Sequence, residues 1–492
     1  MNYISTRGQS APVSSAVAIK QGIAPDGGLY MPEAIPALSE DMLRELCKLP
    51  YCERAARIMS LYLTDYTYEE LLEDCTAAYG DNFDGPSAPV VSVGENVRVL
   101  ELWHGPTCAF KDMALQIMPR LLSRALVKTG EKRTALILVA TSGDTGKAAL
   151  EGYRDVAGTK ISVYYPVNGV SRAQKLQMAT QEGSNVNVCA INGNFDDAQN
   201  GVKRIFGDKD FAAELDKKGY FLSSANSINW GRLVPQTVYY VSAWCDLVNS
   251  GDIAFGEKID VCVPTGNFGN ILGAYLTKMM GLPIGRLVCA SNSNKVLTDF
   301  FETGTYDRNR AFHVTISPSM DILISSNLER LVYITSGAEK TKAYMESLVK
   351  SGKYTLDESD HKKIISVFSG YFTSEDQCRE EIKSTFDSYG YLLDTHTSVA
   401  FSAAKRYLDE NANASSKVLV VSTASPYKFA ASVCDSLKIE APDGDAEIFE
   451  ALSSHTKTKI PAQLADVLKK DIRFSKVIDP NDMKASVIGF IS

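Results

Sequence analysis

The sequence predicts an α/β fold in which parallel strands are covered by helices on both faces. One local unit recurs: a short apolar run, a turn rich in Gly, Ser or Thr, and then a helical pattern. It occurs at residues 134–150, 259–276 and 417–434, and a weaker copy begins at Ile161. The runs are continuously apolar rather than alternating, which is typical of strands buried on both faces. The turns that follow such strands lie where α/β proteins bind ligands, and we expect them to share one sheet edge.

The 492 residues correspond to roughly three domains at about 150 residues each. Residues 1–95 are mixed helix and turn and are predicted to form an N-terminal domain. The segment 81–97 has two interpretations, a linker or an edge strand. Residues from about 320 to 415 are rich in charge and helix formers, which predicts a helical elaboration. The weak signals at 441–492 predict a C-terminal cap.

Composition and charge exclude several classes of protein. Apolar residues make up 45% and charged residues 22%, as in ordinary globular chains. The 51 basic and 59 acidic side chains give a net charge of −8, which argues against a nucleic-acid or anionic-membrane binder. No segment approaches the ~20 apolar residues of a membrane helix, and the first residues lack the apolar core of a secretory signal. The sequence carries no signal for an oligomeric state.

The cysteines and histidines predict neither a metal site nor a disulfide framework. Ten cysteines stand singly along the chain, and the five histidines never fall at metal-ligand spacing. Singly placed cysteines are typical of reduced thiols, so we expect a cytoplasmic protein.

Two glycine-containing loops could hold an anion. GNFGN, residues 266–270, follows a strand and opens a helix, so its amides could point at one oxyanion. TSGDTGK, residues 141–147, does not match a nucleotide phosphate loop, because Thr141 and Ala148 stand where Gly and Ser or Thr are required. Its hydroxyls still suit a carboxylate or phosphate. The alternatives are a tight turn for the first loop and a helix cap for the second.

A third loop and one lysine complete the set. TASPYKF places Thr423 directly after a strand, as a turn residue or as a ligand. Lys111 follows Phe110 and a Gly-Pro turn, and apolar neighbours favour a neutral amine. The alternative is a solvated lysine. A phosphate cup, an amine and a partner for a ring nitrogen together indicate pyridoxal 5'-phosphate.

Several motifs then resemble those of the threonine synthase family, in its longer fungal and bacterial form. They occur in the family's order along nearly the whole chain: YISTRGQSAPVSSAVAIKQGIAPDGGLYMPE, HGPTCAFKDMALQ, ATSGDTGKAA, NSINWGRLVPQTVYY, VPTGNFGNILGAY, DTHTSVAF and STASPYKF. The resemblance implies a fold type II enzyme with two parallel-sheet lobes at 96–440. It also implies the reaction of O-phospho-L-homoserine with water to give L-threonine and phosphate.

The resemblance also implies roles for individual residues. Lys111 would bind the cofactor covalently and act as the catalytic base, and Thr423 would face the pyridine nitrogen. The cofactor phosphate would lie against Gly266, Asn267, Phe268, Gly269 and Asn270. The substrate carboxylate would lie against Thr141, Ser142, Asp144 and Thr145. Many relatives of this fold type have Asn in place of Asp144, and a carboxylate there would repel the cofactor's 3-oxygen unless one of the two is protonated.

The substrate phosphate needs its own cations. Arg232 and Lys147 are the first candidates, because Arg suits bidentate phosphate binding and Lys147 begins a helix. Lys175 is a third candidate, and each could equally be a surface residue.

Two other functions stay open at this point. One is a phospholyase or another β-replacement enzyme on the same scaffold, which would release a 2-oxo acid, ammonia and phosphate. The other is a catalytically silent ligand-binding protein, against which the retained Lys111 and Thr423 argue.

Overall fold

The computed structural model describes residues 1–141, 143–168, 170–411 and 417–492. Its strands are β1 (Tyr3–Ser5), β2 (Tyr30–Pro32), β3 (Val90–Val93), β4 (Val97–Glu101), β5 (Thr134–Ala140), β6 (Thr159–Pro166), β7 (Val186–Ile191), β8 (Tyr220–Ser223), β9 (Ile259–Pro264), β10 (Ile284–Ser291), β11 (Thr305–Asp307), β12 (Lys353–Thr355), β13 (Phe368–Phe372), β14 (Val418–Ser422) and β15 (Val477–Ile478).

The helices follow the same order along the chain. They are α1 (Ser15–Gln21), α2 (Glu40–Leu46), α3 (Tyr51–Tyr62), α4 (Tyr68–Tyr79), α5 (Asp112–Leu115), α6 (Met118–Lys128), α7 (Asp144–Tyr153), α8 (Arg172–Ala179), α9 (Phe195–Gly207), α10 (Lys209–Lys217), α11 (Trp230–Leu233), α12 (Pro235–Ser250), α13 (Gly269–Met279), α14 (Val296–Thr303), α15 (Leu328–Ser351), α16 (Glu358–Ile365), α17 (Glu375–Tyr389), α18 (Thr395–Glu410), α19 (Ala430–Leu437), α20 (Asp445–Thr456), α21 (Ala462–Val467) and α22 (Met483–Ile491). Short 3-10 helices occupy Pro318–Met320, Pro426–Phe429 and Pro480–Asp482.

Two mainly parallel sheets organise these elements, which confirms the predicted fold class. The larger sheet has the order β13-β10-β9-β14-β4-β3, and only its edge pair β3–β4 is antiparallel. The smaller sheet has the order β15-β7-β6-β5-β8 and is parallel throughout. Every residue of β9 and β14 is buried, as their continuous apolar runs predict.

The expectation that the strand-turn-helix units share one sheet edge is wrong. The units that begin with β5 and β6 belong to the smaller sheet, whereas those of β9 and β14 belong to the larger one. Parallel strands buried on both faces have the same residue pattern in either sheet, so the pattern cannot assign them. The carboxyl edges of the two sheets nevertheless face each other, since Asp144 after β5 lies 2.7 Å from Lys428 after β14.

The outlying segments add to the two sheets in different ways. Within 81–97 the chain forms the edge strand β3 rather than only a linker. The elaboration at about 320–415 is mostly helical, but it also supplies β13, which pairs with β10. After residue 441 the chain returns to the smaller sheet, where β15 pairs with β7. The predicted domain bounds 1–95, 96–440 and 441–492 stay predictions.

Candidate active site

Lys111 is held beside Thr423 by backbone contacts between two loops of the larger sheet. The N–H of Phe110 donates to the carbonyl of Thr423 at 2.8 Å, and Ala109 forms an antiparallel bridge with Ala424. Lys111 is the N-cap residue directly before α5, and its side chain is 13% exposed. The two residues that the sequence places over 300 positions apart are therefore neighbours.

The environment of the Lys111 amine favours its neutral form. Its Nζ donates to the hydroxyl of Ser319 at 3.2 Å and lies 4.0 Å from the nearer carboxylate oxygen of Asp144. Burial lowers the pKa of Lys111 from 10.5 to about 8, with Asp144 opposing the shift and the cations Lys428 and Arg232 adding to it. An amine with this pKa can act as nucleophile and base near neutral pH.

Asp144, the first residue of α7, is buried between two lysines. Its Oδ1 accepts from Lys428 at 2.7 Å and from the Gln174 side chain at 2.9 Å, and its Oδ2 faces Lys111. Burial alone would raise the pKa of Asp144, but Lys428 and Lys111 hold it below its usual range. The carboxylate is therefore charged, and its charge is offset.

The rest of the loop before α7 is only partly free to bind a ligand. The hydroxyl of Thr141 accepts from the amides of Gly143 and Gly146, both at 3.0 Å, so it closes the turn into the helix. Thr145 is half-buried, and its hydroxyl makes no hydrogen bond in the described part of the chain. Ser142 lies outside the described residues.

GNFGN forms the loop that opens α13. Phe268 takes a left-handed φ of 62° and is held there by packing against Phe301 and Phe368. The amides of residues 266–268 donate to no group in the described ranges. The first amides of α13 are orphan donors as well. This arrangement suits an anion at a helix N-terminus.

Neighbouring side chains support this loop. The carbonyl of Gly266 accepts from Ser325 at 2.7 Å, and that of Asn267 accepts from the Asn327 side chain at 3.1 Å. The Asn270 Oδ1 accepts from the hydroxyls of Tyr239 and Tyr240, which orients its amide. The Nδ2 of Asn270 is buried and has no partner in the described part of the chain. It is a donor left for a ligand.

Thr423 directly follows β14, and its hydroxyl has no hydrogen-bond partner among the described residues. Its backbone N–H donates to the Thr397 hydroxyl oxygen at 3.3 Å, whereas its own Oγ1 makes no hydrogen bond in the described ranges. The residue as a whole is only 6% exposed.

The candidate phosphate-binding cations differ in their surroundings. Arg232 is buried, donates one guanidinium N–H to the carbonyl of Ala225, and leaves its Nε without a partner among the described residues. Burial lowers its pKa to about 10. Lys147 instead donates to Glu151 at 3.0 Å and to Gln181, and Lys175 is exposed. The charge of Arg232 therefore acts on Lys111, whereas Lys147 is bound to Glu151 and Gln181.

Three residues of the site were not singled out from the sequence. Ser319 lies in the 3-10 helix Pro318–Met320, in a segment without any recognised motif. His396, whose Nε2 accepts from the amide of Ser319 at 3.1 Å, lies within the quoted motif DTHTSVAF, and Lys428 lies within STASPYKF. The motifs contained both residues, but their spacing did not assign them a role.

Three family models match the chain in sequence. They are the threonine synthase N terminus at residues 2–79, the pyridoxal-phosphate dependent enzyme at 88–424, and the threonine synthase C-terminal model at 397–487. The threonine synthase of Pseudomonas aeruginosa is 37% identical over 498 residues, covering 100% of this chain and 98% of that protein. The chain belongs to the threonine synthase family.

Other members of the family agree with this assignment. The crystal structure of PLP-bound threonine synthase from Brucella melitensis covers 100% of this chain and 99% of that one, with a TM-score of 0.88 and 35% identity. Threonine synthase-like 1 of Homo sapiens is 42% identical over 86% of this chain. The chain spans only 58% of the length of that relative.

The residues present fit pyridoxal 5'-phosphate, the cofactor of this family. The unpaired amides of 266–268 and the buried Nδ2 of Asn270 match a phosphate, and the Lys111 amine matches an aldehyde. A Cβ on Gly266 would lie 2.7 Å from the carbonyl oxygen of Ser319, so glycine is needed where these two segments meet.

Proposed function

We propose that the chain converts O-phospho-L-homoserine and water to L-threonine and phosphate. The observation that carries the proposal is the buried Lys111 amine, which lies between the Ser319 hydroxyl and the Asp144 carboxylate, next to Thr423. The threonine synthase relatives at matching length support the same reaction.

In this proposal, Gly266, Asn267, Phe268, Gly269 and Asn270 hold the cofactor phosphate, and Thr423 faces its ring nitrogen. When bound, the cofactor stabilises negative charge at the substrate carbons that lose protons. Lys111 removes the α-proton at its Nζ and, after releasing that proton, removes a β-proton. A pKa of about 8 leaves roughly a tenth of the amine neutral at pH 7, far more than for an ordinary lysine. The Ser319 hydroxyl orients the Lys111 amine by accepting from it at 3.2 Å.

The substrate's two acidic groups need separate partners. The Thr145 hydroxyl and the first backbone amides of α7 would hold the substrate carboxylate, whereas the charged Asp144 side chain would repel it. Arg232 would hold the substrate phosphate through its free Nε, whereas Lys147 would first have to leave Glu151. A chain of net charge −8 must bind a dianionic substrate through such local donors.

The deciding experiment is a product assay with the purified protein, added pyridoxal 5'-phosphate and O-phospho-L-homoserine. Equal amounts of threonine and phosphate support the proposal. A 2-oxo acid with ammonia and phosphate would identify a phospholyase, and no turnover with tight ligand binding would identify a silent homologue. Lys111→Ala should be inactive, whereas Lys362→Ala, at a 69% exposed side chain on α16, should match the parent.

We also propose a cytoplasmic location. All ten cysteines are unpaired thiols, as expected in a reducing compartment. No helix in the described residues is long and apolar enough to span a membrane.

A further inference from the structure

Lys428 is a fully buried lysine whose donors are all engaged. Its side chain is 0% exposed and lies in the 3-10 helix that follows β14. Its Nζ donates to Asp144 at 2.7 Å, to the carbonyl of Thr107 at 2.8 Å and to Gln177 at 3.3 Å. An ammonium has three N–H donors, so its position is fixed by three separate segments.

These contacts join the two lobes of the site. Lys428 and Thr107 follow strands of the larger sheet, whereas Asp144 and Gln177 follow strands of the smaller one. One oxygen of Asp144 is shared by Lys428 and Gln174, which leaves the other to face Lys111 at 4.0 Å. The lysine therefore decides both where the carboxylate lies and how much of its charge Lys111 experiences.

We propose that Lys428 is a positioning residue that acts through Asp144, the two forming one neutral pair that sets the charge state of Lys111. The proposal deepens the proposed function, on which it rests. A buried carboxylate without its cation would hold Lys111 as an ammonium, and an ammonium cannot take a proton. With the pair intact, Lys111 is next to a carboxylate whose field is largely cancelled.

Other charged groups that face Lys111 come from the neighbouring elements. They are Asp112 on α5 and Arg232 on α11. Lys428 has the Cys108 thiol and Asp112 within electrostatic reach, and Asp112 is itself tied to the amide and hydroxyl of Thr107. These groups are the same in every variant below, so differences between variants report the pair alone.

Removing Lys428 and removing Asp144 should shift the titration of Lys111 in opposite directions. Lys428→Met leaves Asp144 uncompensated, which stabilises the ammonium of Lys111 and moves its titration to higher pH. Asp144→Asn leaves Lys428 uncompensated, which moves the titration of Lys111 to lower pH. The double variant carries neither charge and should return close to the parent. A lysine with only a structural role would not produce shifts of opposite sign.

The test follows the acetylation of Lys111 by trace acetic anhydride in the full-length protein freed of cofactor, from pH 6 to 11, with peptide mass spectrometry. We expect the midpoint of Lys111 to move up by about one pH unit in Lys428→Met and down by about one in Asp144→Asn. The exposed Lys362 is the internal reference. Lys340→Met is the matched control, because Lys340 on α15 forms ion pairs with Asp360 on α16 and with Asp357 just before that helix.

Shifts of the same sign in the two single variants, or a double variant displaced as far as either, would overturn the proposal. If a single variant does not fold, the double variant and Lys428→Arg provide the test. Both should keep the Lys111 titration midpoint of the parent protein. A displaced midpoint in either variant would contradict the proposed pair. Labelling does not depend on turnover, so the proposed reaction can fail while these shifts are still observed. Absorbance titration of bound cofactor in the same variants gives a second measure of the Lys111 environment.

Discussion

The imidazole of His396 accepts a hydrogen bond from the amide of Ser319 at 3.1 Å, and the hydroxyl of that serine accepts one from Lys111. The acceptor is Nε2, so the proton of a neutral ring lies on Nδ1, which is 3.2 Å from Asp394. Asp394 in turn caps α18. His396 in the motif DTHTSVAF is therefore linked to the Lys111 amine through Ser319, which belongs to no recognised motif.

His396→Leu should therefore lower kcat by roughly fivefold, since one hydrogen bond of about 1 kcal/mol that places Ser319 is lost. His396→Gln, whose amide oxygen can accept the same N–H, should restore part of the rate. Steady-state kinetics of the three proteins check this. Equal rates in His396→Leu and the parent would show that Ser319 does not depend on the ring.

The pKa of Lys111 predicts how fast the cofactor attaches at each pH. At pH 8 roughly half of an amine with this pKa is neutral, against about one in 300 for an ordinary lysine. The rate should rise as the pH rises through about 8 and then level off, because only the neutral amine reacts. Stopped-flow absorbance after mixing cofactor-free protein with pyridoxal 5'-phosphate measures it, with Lys111→Ala as the blank. An inflection near 10.5 would contradict the buried environment.

Thr423→Asp should increase side reactions relative to threonine formation. A carboxylate can hold a proton on the ring nitrogen, whereas a hydroxyl cannot, and a protonated ring is the stronger electron sink. The ratio of 2-oxo acid to threonine measures the change. Thr423→Val removes the hydroxyl without adding an acid, so it separates loss of the contact from gain of charge. An unchanged ratio in Thr423→Asp would refute the assignment.

Gly266→Ala should weaken cofactor binding by about tenfold or more. The added Cβ meets a backbone oxygen of Ser319, which cannot rotate away, and such overpacking costs about 1–3 kcal/mol. Fluorescence titration with pyridoxal 5'-phosphate measures the dissociation constant. Gly489→Ala on α22 is the matched control, because its Cβ would meet nothing within 4 Å. Equal affinity in both variants would show that the loop at 266–270 does not bind the cofactor.

Arg232→Gln should raise KM for O-phospho-L-homoserine roughly ten- to a hundredfold, the range of a lost charge-assisted hydrogen bond of about 1.5–3 kcal/mol. Its Nε is free to bind, whereas the Lys147 ammonium is engaged by Glu151 and Gln181. Lys147→Gln should therefore act mainly on stability, which thermal unfolding detects. A larger KM effect in Lys147→Gln than in Arg232→Gln would reverse the preference between the two.

The sequence by itself determined the features that depend on neighbouring residues. Continuous apolar runs predicted β5, β9 and β14 because a buried parallel strand needs no polar face. The loop at 266–270 and the position of Lys111 at the start of a helix followed from local motifs, and seven such motifs in order indicated the family. Each of these signals lies within a single segment of 31 residues or fewer.

Only the tertiary structure decided how those pieces combine. The pattern of β5 is the same whichever sheet it joins, so only hydrogen-bonded pairing shows that the loops come from two sheets that face each other. That geometry places Lys428 against Asp144, and Ser319 against Lys111, across separations of more than two hundred residues. The packing free energy depends on contacts between distant parts of the chain, whereas a motif describes only its own segment. The charged groups that surround the Lys111 amine could therefore be identified only from the folded structure.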